Sequence, residues 1–394
     1  MGAISMKGID MFISPKRSFV FFTLNFYLLV FIAQATKANA TPSFNSETYS
    51  EQWALTNPIY GIQPVELGSL IGSGQKVVVA IIDSGIDPTH PDLKDVLHES
   101  VREKGAIGKL LDTEGHGTLI AGIIGAQGKR VEGVLRNITL LPIRVLKSAE
   151  PSIQMVDQIA NAITRSIELK AQIINISLGW SEILNTKKIN QALALAETNQ
   201  VLIVVAAGND HTEAVIEPCQ RPQVICVASH DMFGAMAKDS NFGVDISAPG
   251  ERILSTYPVN MRSLLFLLKR GYDFNRGTSM AAPFVSGVLA KLLARGVSPY
   301  EAKARLLAGA LPSSFVQYGR LSESGALAAH PKPLLINLNK KPQHLNWIGF
   351  SRFQSAKIPV KLKNIWVPGP VVIRAEVREN SYLKIESENN RGFR

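Results

Sequence analysis

The chain is poor in cysteine: Cys219 and Cys226 are its only two in 394 residues. A C-x6-C pair lacks the further ligands zinc needs, so a structural zinc module is set aside. Neither cysteine has the surroundings of a nucleophile. No dense Lys/Arg run with interleaved aromatics occurs, and the formal net charge of +10 therefore does not point to nucleic acid. Part of that charge lies in residues 1–40, where Lys7, Lys16, Arg17 and Lys37 face only Asp10; without them 38 basic and 31 acidic side chains leave +7. This reads as a solvated basic surface, with contact to an anionic cell envelope as the alternative. No internal repeat or low-complexity tract is present, which excludes repeat architectures. The apolar run from Phe19 to Ala33 is too short for a comfortable membrane span.

What is present begins with a targeting pattern. Lys16 and Arg17 precede that apolar run, and Ala38-Asn39-Ala40 supplies small residues before Thr41. Residues 1–40 are expected to be a cleaved secretory signal, the alternative being an uncleaved anchor; a secreted, periplasmic or cell-surface location follows. In an exported chain the close cysteine pair suggests a local disulfide, two free buried thiols being the other reading. The bridge needs a turn between the cysteines, which Gln220-Arg221-Pro222 can supply.

Hydrophobic residues make up 46% of the chain, ample for a large core. Val77 to Ile82, Leu140 to Leu146, Ile173 to Leu178, Val201 to Ala206 and Val224 to Ala228 are short, apolar and β-branched, as strands buried on both faces are. His116 to Ala126, Ile153 to Lys170, Lys187 to Thr198 and Thr278 to Ala294 read as helices between them. The alternation predicts an α/β fold: a doubly wound parallel sheet with helices on both faces. Chemistry is then expected at the carboxyl ends of strands and at the helix starts that follow. After about Ala329 prolines punctuate the chain, and Ala356 to Trp366 and Val371 to Val377 predict a small β-rich appendage. The expected organisation is a signal over 1–40, a linker over 41–50, a catalytic domain over 51–330 and the appendage over 331–394.

Three segments each set one polar group among small or apolar neighbours: Ala80-Ile81-Ile82-Asp83-Ser84-Gly85, Gly115-His116-Gly117-Thr118 and Gly277-Thr278-Ser279-Met280-Ala281-Ala282-Pro283. Together they supply a carboxylate, an imidazole and a hydroxyl. A hydroxyl is a weak nucleophile until a base takes its proton, and the base needs a partner that fixes its tautomer. These segments, with Val205-Ala206-Ala207-Gly208-Asn209-Asp210, Asn175-Ile176-Ser177-Leu178-Gly179 and Ile246-Ser247-Ala248-Pro249-Gly250, resemble the signatures of the subtilisin-like serine proteases, in the expected order from about Gln52 to about Ala329. The resemblance implies a serine endopeptidase in which Ser279 is the nucleophile, His116 the general base and Asp83 its orienting partner. It implies Asn209 as an oxyanion donor, and Ser177, Leu178, Gly179, Ala207 and Gly208 as substrate-binding residues. The partners implied are polypeptide substrates, acting on a monomer. A peptide ligase on the same triad is one alternative, and a non-catalytic binding protein on the same scaffold another.

Several departures qualify the resemblance. Relatives use the residue at Asp92 as a calcium ligand, but the loop that would complete the site, Gln127 to Glu132, is short and basic; no cofactor is expected to be required. Thr41 to Ser50 leaves too little room for a folding propeptide, and the C-terminal appendage is the expected substitute. A Gly-rich substrate-pairing segment is replaced by Lys147 to Ser152, in which Pro151 has no N–H. Met261 to Arg270 is an insertion, read as a buried helix, with a lid or a membrane-touching patch as alternatives. The loop Ala214-Val215-Ile216-Glu217-Pro218 closes the specificity pocket: Ile216 on its floor favours small or medium apolar side chains, whereas an inward Glu217 favours basic ones.

Overall fold

In Val77–Asp83 every residue but Val78 is buried, as a strand covered on both faces requires. This is β1 of a computed structural model that describes residues 51–65, 76–102, 110–128, 130–145, 152–213, 216–221, 223–262 and 270–329, with the backbone of 375–378 and 382–385. β1 lies between β2 (Ile138–Arg144) and β3 (Ile173–Ile176). The sheet continues through β4 (Leu202–Ala206), β5 (Val224–His230) and β6 (Ile246–Pro249) to a short β9 (Gly319–Arg320). Each of these pairings is parallel. The order 2-1-3-4-5-6-9 reverses direction between β1 and β3, where the carboxyl ends of the two strands open a crevice. β7 (Ile253–Thr256) and β8 (Tyr272–Asn275) form a separate antiparallel ribbon. The expected α/β class is the observed one.

One face of the sheet is covered by α3 (Ile153–Glu168) and α4 (Lys187–Thr198). Val156, Ile159, Ala160 and Ile163 recur at helical spacing and give α3 a continuous buried stripe. It packs on Ala80 and Ile82 of β1, Ile174 and Ile176 of β3, and Ile203 and Val205 of β4. Ser152 and Thr186 cap the two helices by accepting from the backbone N–H groups of Met155 and Ile189. On the other face lie α2 (His116–Gly125) and α5 (Thr278–Ala294), which pack against each other. Residues 280–293 of α5 are all buried, the pattern of a helix with no solvent face.

The segment before β1 is tied to the far end of this unit. The indole N–H of Trp53, in α1 (Trp53–Thr56), donates to the Glu251 carbonyl at 2.9 Å. Glu323, at the start of α7 (Glu323–Ala328) and beyond α6 (Pro299–Ala308), accepts the Val65 N–H at 3.0 Å and the Lys291 ammonium at 2.8 Å through both oxygens. Burial raises the Glu323 carboxyl, and Lys291 opposes that shift. His230, at the end of β5, is 0% exposed. A carbonyl can only accept, so His230 Nε2 carries the proton it gives to Tyr60 O at 3.0 Å, and Nδ1 lies 3.2 Å from Ser247 Oγ. Burial pushes the imidazole down from 6.5 to about 4; the Tyr60 carbonyl opposes the shift and Arg320 adds to it.

Cys219 and Cys226 form the disulfide, with Cα atoms 5.2 Å apart, which excludes the free-thiol alternative. The bridge fastens the loop after Glu217-Pro218 to β5. Beyond the catalytic unit, β10 (Ala375–Arg378) pairs antiparallel with β11 (Tyr382–Ile385), Val377 facing Leu383. The hairpin thus falls later than the expected pairing of the two apolar segments. Ala356 to Trp366, residues 371–374 and the signal region lie outside the described residues.

Candidate active site

β1 ends at Asp83, on the carboxyl edge of the sheet, and α2 begins at His116. His116 Nδ1 lies 2.8 and 2.9 Å from the two carboxylate oxygens of Asp83. Asp83 is 1% exposed, whereas the His116 side chain keeps 18% of its surface. A carboxylate can only accept, so Nδ1 carries the proton and Nε2 presents a lone pair to the outside. The Ser84 N–H adds a 2.7 Å bond to Asp83 Oδ1.

A second buried carboxylate, Asp112, sets the distance between these two elements. Its Oδ1 accepts from Ser84 Oγ at 2.9 Å and from the N–H groups of Glu114 and Gly115 at 3.0 and 2.8 Å. Its Oδ2 accepts from Thr118 N–H at 2.9 Å and Thr118 Oγ at 2.6 Å. Ser84 Oγ in turn accepts the Gly117 N–H at 2.9 Å. One carboxylate thereby joins the residue after Asp83 to both sides of His116. Sequence reasoning missed Asp112. The available signal was an Asp followed by Thr-Glu-Gly, a turn-forming run just ahead of the histidine.

Ser279 opens α5, and its neighbours are fixed by a relay through β3. Pro283 stands four residues after Ser279 and has no N–H, so the Ser279 carbonyl lacks its helical donor. Ser177 Oγ donates to that carbonyl instead, at 3.3 Å. Asn175 Nδ2 donates to Ser177 Oγ at 3.2 Å, and Ser286 Oγ donates to Asn175 Oδ1 at 2.9 Å. On the other side, Asn209 Oδ1 accepts from Thr278 N–H at 2.9 Å and from Thr278 Oγ at 3.2 Å. That fixes the amide orientation and leaves Nδ2 as the outward donor. Gly277 holds φ at +115°, and a methyl there would stand 3.1 Å from Asn209 Oδ1. As the second residue of a helix, Ser279 has an N–H with no intrahelical acceptor. The Gly208 N–H donates to Thr278 Oγ at 3.0 Å, so segments 177–179 and 207–209 flank the serine.

The structure therefore brings Asp83 and His116 into contact, and gathers Ser177, Gly208, Asn209 and Ser279 around the start of α5. No hydrogen bond from Ser279 Oγ to His116 is found among the described residues; in a substrate-free site such a bond is commonly long and tightens in the complex. The loop at 216–218 sits beside this cluster through two backbone bonds between Trp180 and Glu217, of 3.1 and 2.8 Å. Of the substrate-pairing segment Lys147 to Ser152, only Ser152 is described, as the cap of α3. Residues 214–215 and 263–269 lie outside the described residues, and with them most of the insertion.

Calcium is not accommodated by the residues at Asp92. That carboxylate is buried, and its Oδ2 accepts the Tyr272 hydroxyl at 2.7 Å. The Arg130 guanidinium lies 5.5 Å over the Tyr272 ring. Burial, and then the bond to Asp92, push the Tyr272 hydroxyl well above the ordinary tyrosine range. A hydroxyl and a guanidinium stand where a divalent ion needs six to eight oxygens. No group of three His, Cys, Asp or Glu side chains able to hold a metal ion occurs among the described residues. No described helix is long and apolar enough to cross a membrane.

Known proteins share this arrangement. Residues 74–330 match the family model of the subtilase family, peptidase S8. A major intracellular serine protease of Bacillus subtilis is 32% identical over 291 residues, covering 69% of this chain and 87% of that protein. A thermophilic serine proteinase of a Bacillus species is 31% identical over 264 residues, covering 65% of this chain and 62% of its own length. The crystal structure of a lanthipeptide protease aligns with a TM-score of 0.56 at 26% identity, over 64% of this chain and 86% of that one.

Proposed function

Since this chain belongs to the subtilase family and is a serine-type endopeptidase, we propose that Asp83, His116 and Ser279 form its catalytic triad, with Asn209 completing an oxyanion hole. The observation that carries the reading is the pair of fixed orientations: Asp83 holds the His116 proton on Nδ1, and Thr278 holds the Asn209 amide with its N–H outward. Ser279 Oγ attacks the scissile carbonyl while His116 Nε2 takes its proton. The tetrahedral oxygen is met by Asn209 Nδ2 and the Ser279 N–H. Collapse passes the His116 proton to the leaving amine and leaves an acyl-enzyme. Water then attacks that ester, with His116 again as the base. Export is part of the proposal, supported by Lys16-Arg17, the apolar run after them and Ala38-Asn39-Ala40. The protein acts as a monomer on polypeptides and needs no bound metal.

The test is kinetic. Ser279→Ala should leave only the weak acceleration due to substrate binding and Asn209. Asn209→Ala should lower kcat by roughly 100- to 1000-fold with little change in KM, because the oxyanion exists only near the transition state. An unchanged kcat in Asn209→Ala would remove the oxyanion assignment. Full activity in Ser279→Ala would remove the triad.

A further inference from the structure

β3 and β4 are paired up to Ile176 and Val205, and their extensions then pass on either side of Ser279. Each extension reaches its glycine at the same level: Gly179 on one side, Gly208 on the other. The space between two such residues is open only if nothing else enters it. Here Ile216 enters it. A methyl built on Gly179 would lie 2.5 Å from Ile216 Cδ1, and one built on Gly208 would lie 3.1 Å from the same atom. A single carbon thus spans the slot between both walls. Ile216 is half-buried, as suits a side chain at the end of a slot rather than in the core.

The position of Ile216 is held by its neighbour. Glu217 exchanges both backbone bonds with Trp180, directly after Gly179. Successive side chains along an extended segment point to opposite sides. With Ile216 turned into the slot, Glu217 is turned away. Its carboxylate is buried and paired with Arg221 Nε at 2.9 Å. The loop therefore offers the slot a hydrocarbon tip and not a charge.

We infer that Ile216 is a specificity-determining residue that restricts the substrate residue on the acyl side of the scissile bond to glycine, alanine or serine. The inference rests on the reading of Ser279 as the nucleophile, because the side chain next to the attacked carbonyl is the one that must enter between segments 177–179 and 207–209. A leucine, phenylalanine or lysine there would have to displace Ile216. One misfitting methylene already changes discrimination by roughly 10- to 200-fold, and these side chains carry several extra carbons.

The experiment uses internally quenched peptides that differ only at the residue before the scissile bond, with the cut site mapped by mass. The full chain should cleave the alanine peptide with a kcat/KM at least about 100-fold above the phenylalanine and leucine peptides. Ile216→Gly should raise phenylalanine and leucine by about 100-fold and leave alanine within about threefold. Ile216→Ala, which keeps a Cβ, should move in the same direction by less, and guards against a poorly folded glycine variant. A full chain that prefers phenylalanine, leucine, arginine or lysine overturns the inference. So do variants with the alanine-to-phenylalanine ratio of the parent. If the parent cleaves no peptide faster than Ser279→Ala, the triad reading itself has failed, which is a different outcome from cleavage with the wrong preference.

Discussion

Buried neutral, His230 should make this protein acid-sensitive by an amount that can be worked out in advance. In the folded chain the imidazole is held near 4, against 6.5 for the ordinary group. Below 6.5 the unfolded chain takes up a proton that the folded chain refuses until about pH 4. Stability is therefore complete above the ordinary value and falls as pH drops through the window from 6.5 to 4. Between pH 7 and pH 5 the linkage relation gives a loss of about 1.8 kcal/mol, approaching about 3.4 kcal/mol below pH 4. For a domain of this size about 1.8 kcal/mol corresponds to roughly 4–7 °C in Tm. The comparison is His230→Gln, which retains a donor for the Tyr60 carbonyl but does not titrate. Tm should be measured by calorimetry at half-unit intervals from pH 7 to 4.5, with both chains in the Ser279→Ala background to prevent autolysis. The raised carboxyls of Asp245, Glu251 and Glu323 are common to both chains and cancel in the difference. The parent should lose several degrees more than the glutamine variant. Parallel pH profiles would refute the reasoning, because the burial of a neutral imidazole would then have no energetic consequence.

Two further outcomes follow from contacts described above. Asp112→Asn presents an NH2 to donors that now meet a carboxylate oxygen, and should lower kcat by about 10- to 100-fold by misplacing His116, with KM nearly unchanged; a rise in KM alone, without loss of kcat, would contradict the positioning role. Tyr272→Phe removes a hydroxyl from the buried Asp92 carboxylate and should cost about 1–3 kcal/mol in denaturant unfolding, whereas excess chelator should leave the parent's Tm where it was; a chelator-induced fall in Tm would show that the Asp92 region does hold an ion.

The sheet could be read in the sequence because parallel strands buried on both faces leave unbroken apolar runs, and Val77 to Ile82 or Val201 to Ala206 can be little else. Asp83, His116, Ser279 and Asn209 could be read because each stands in a short, characteristic run. Contacts between distant segments left no such trace. Nothing around His230 indicates that Tyr60 O will meet its ring, and nothing in Asp92 indicates that Tyr272 will supply its partner. The choice between Ile216 and Glu217 was open for the same reason: which of two adjacent side chains faces a slot depends on register, and the register comes from Trp180. Strand ends also shifted by a residue or two, as where β3 stops at Ile176 and releases Ser177 to the serine helix.

The proline within α5 has an effect that reaches beyond its own helix. Because Pro283 leaves the Ser279 carbonyl without a helical donor, the hydroxyl of Ser177 completes a turn of a helix to which it does not belong. The two positions are thereby epistatic. Alanine at 177 should be harmful beside proline and far milder beside an alanine at 283, whose own N–H would close the turn. Any route by which this sequence drifts must cross those two sites in a permitted order, and the segment that grips the substrate cannot vary independently of the helix that carries the nucleophile.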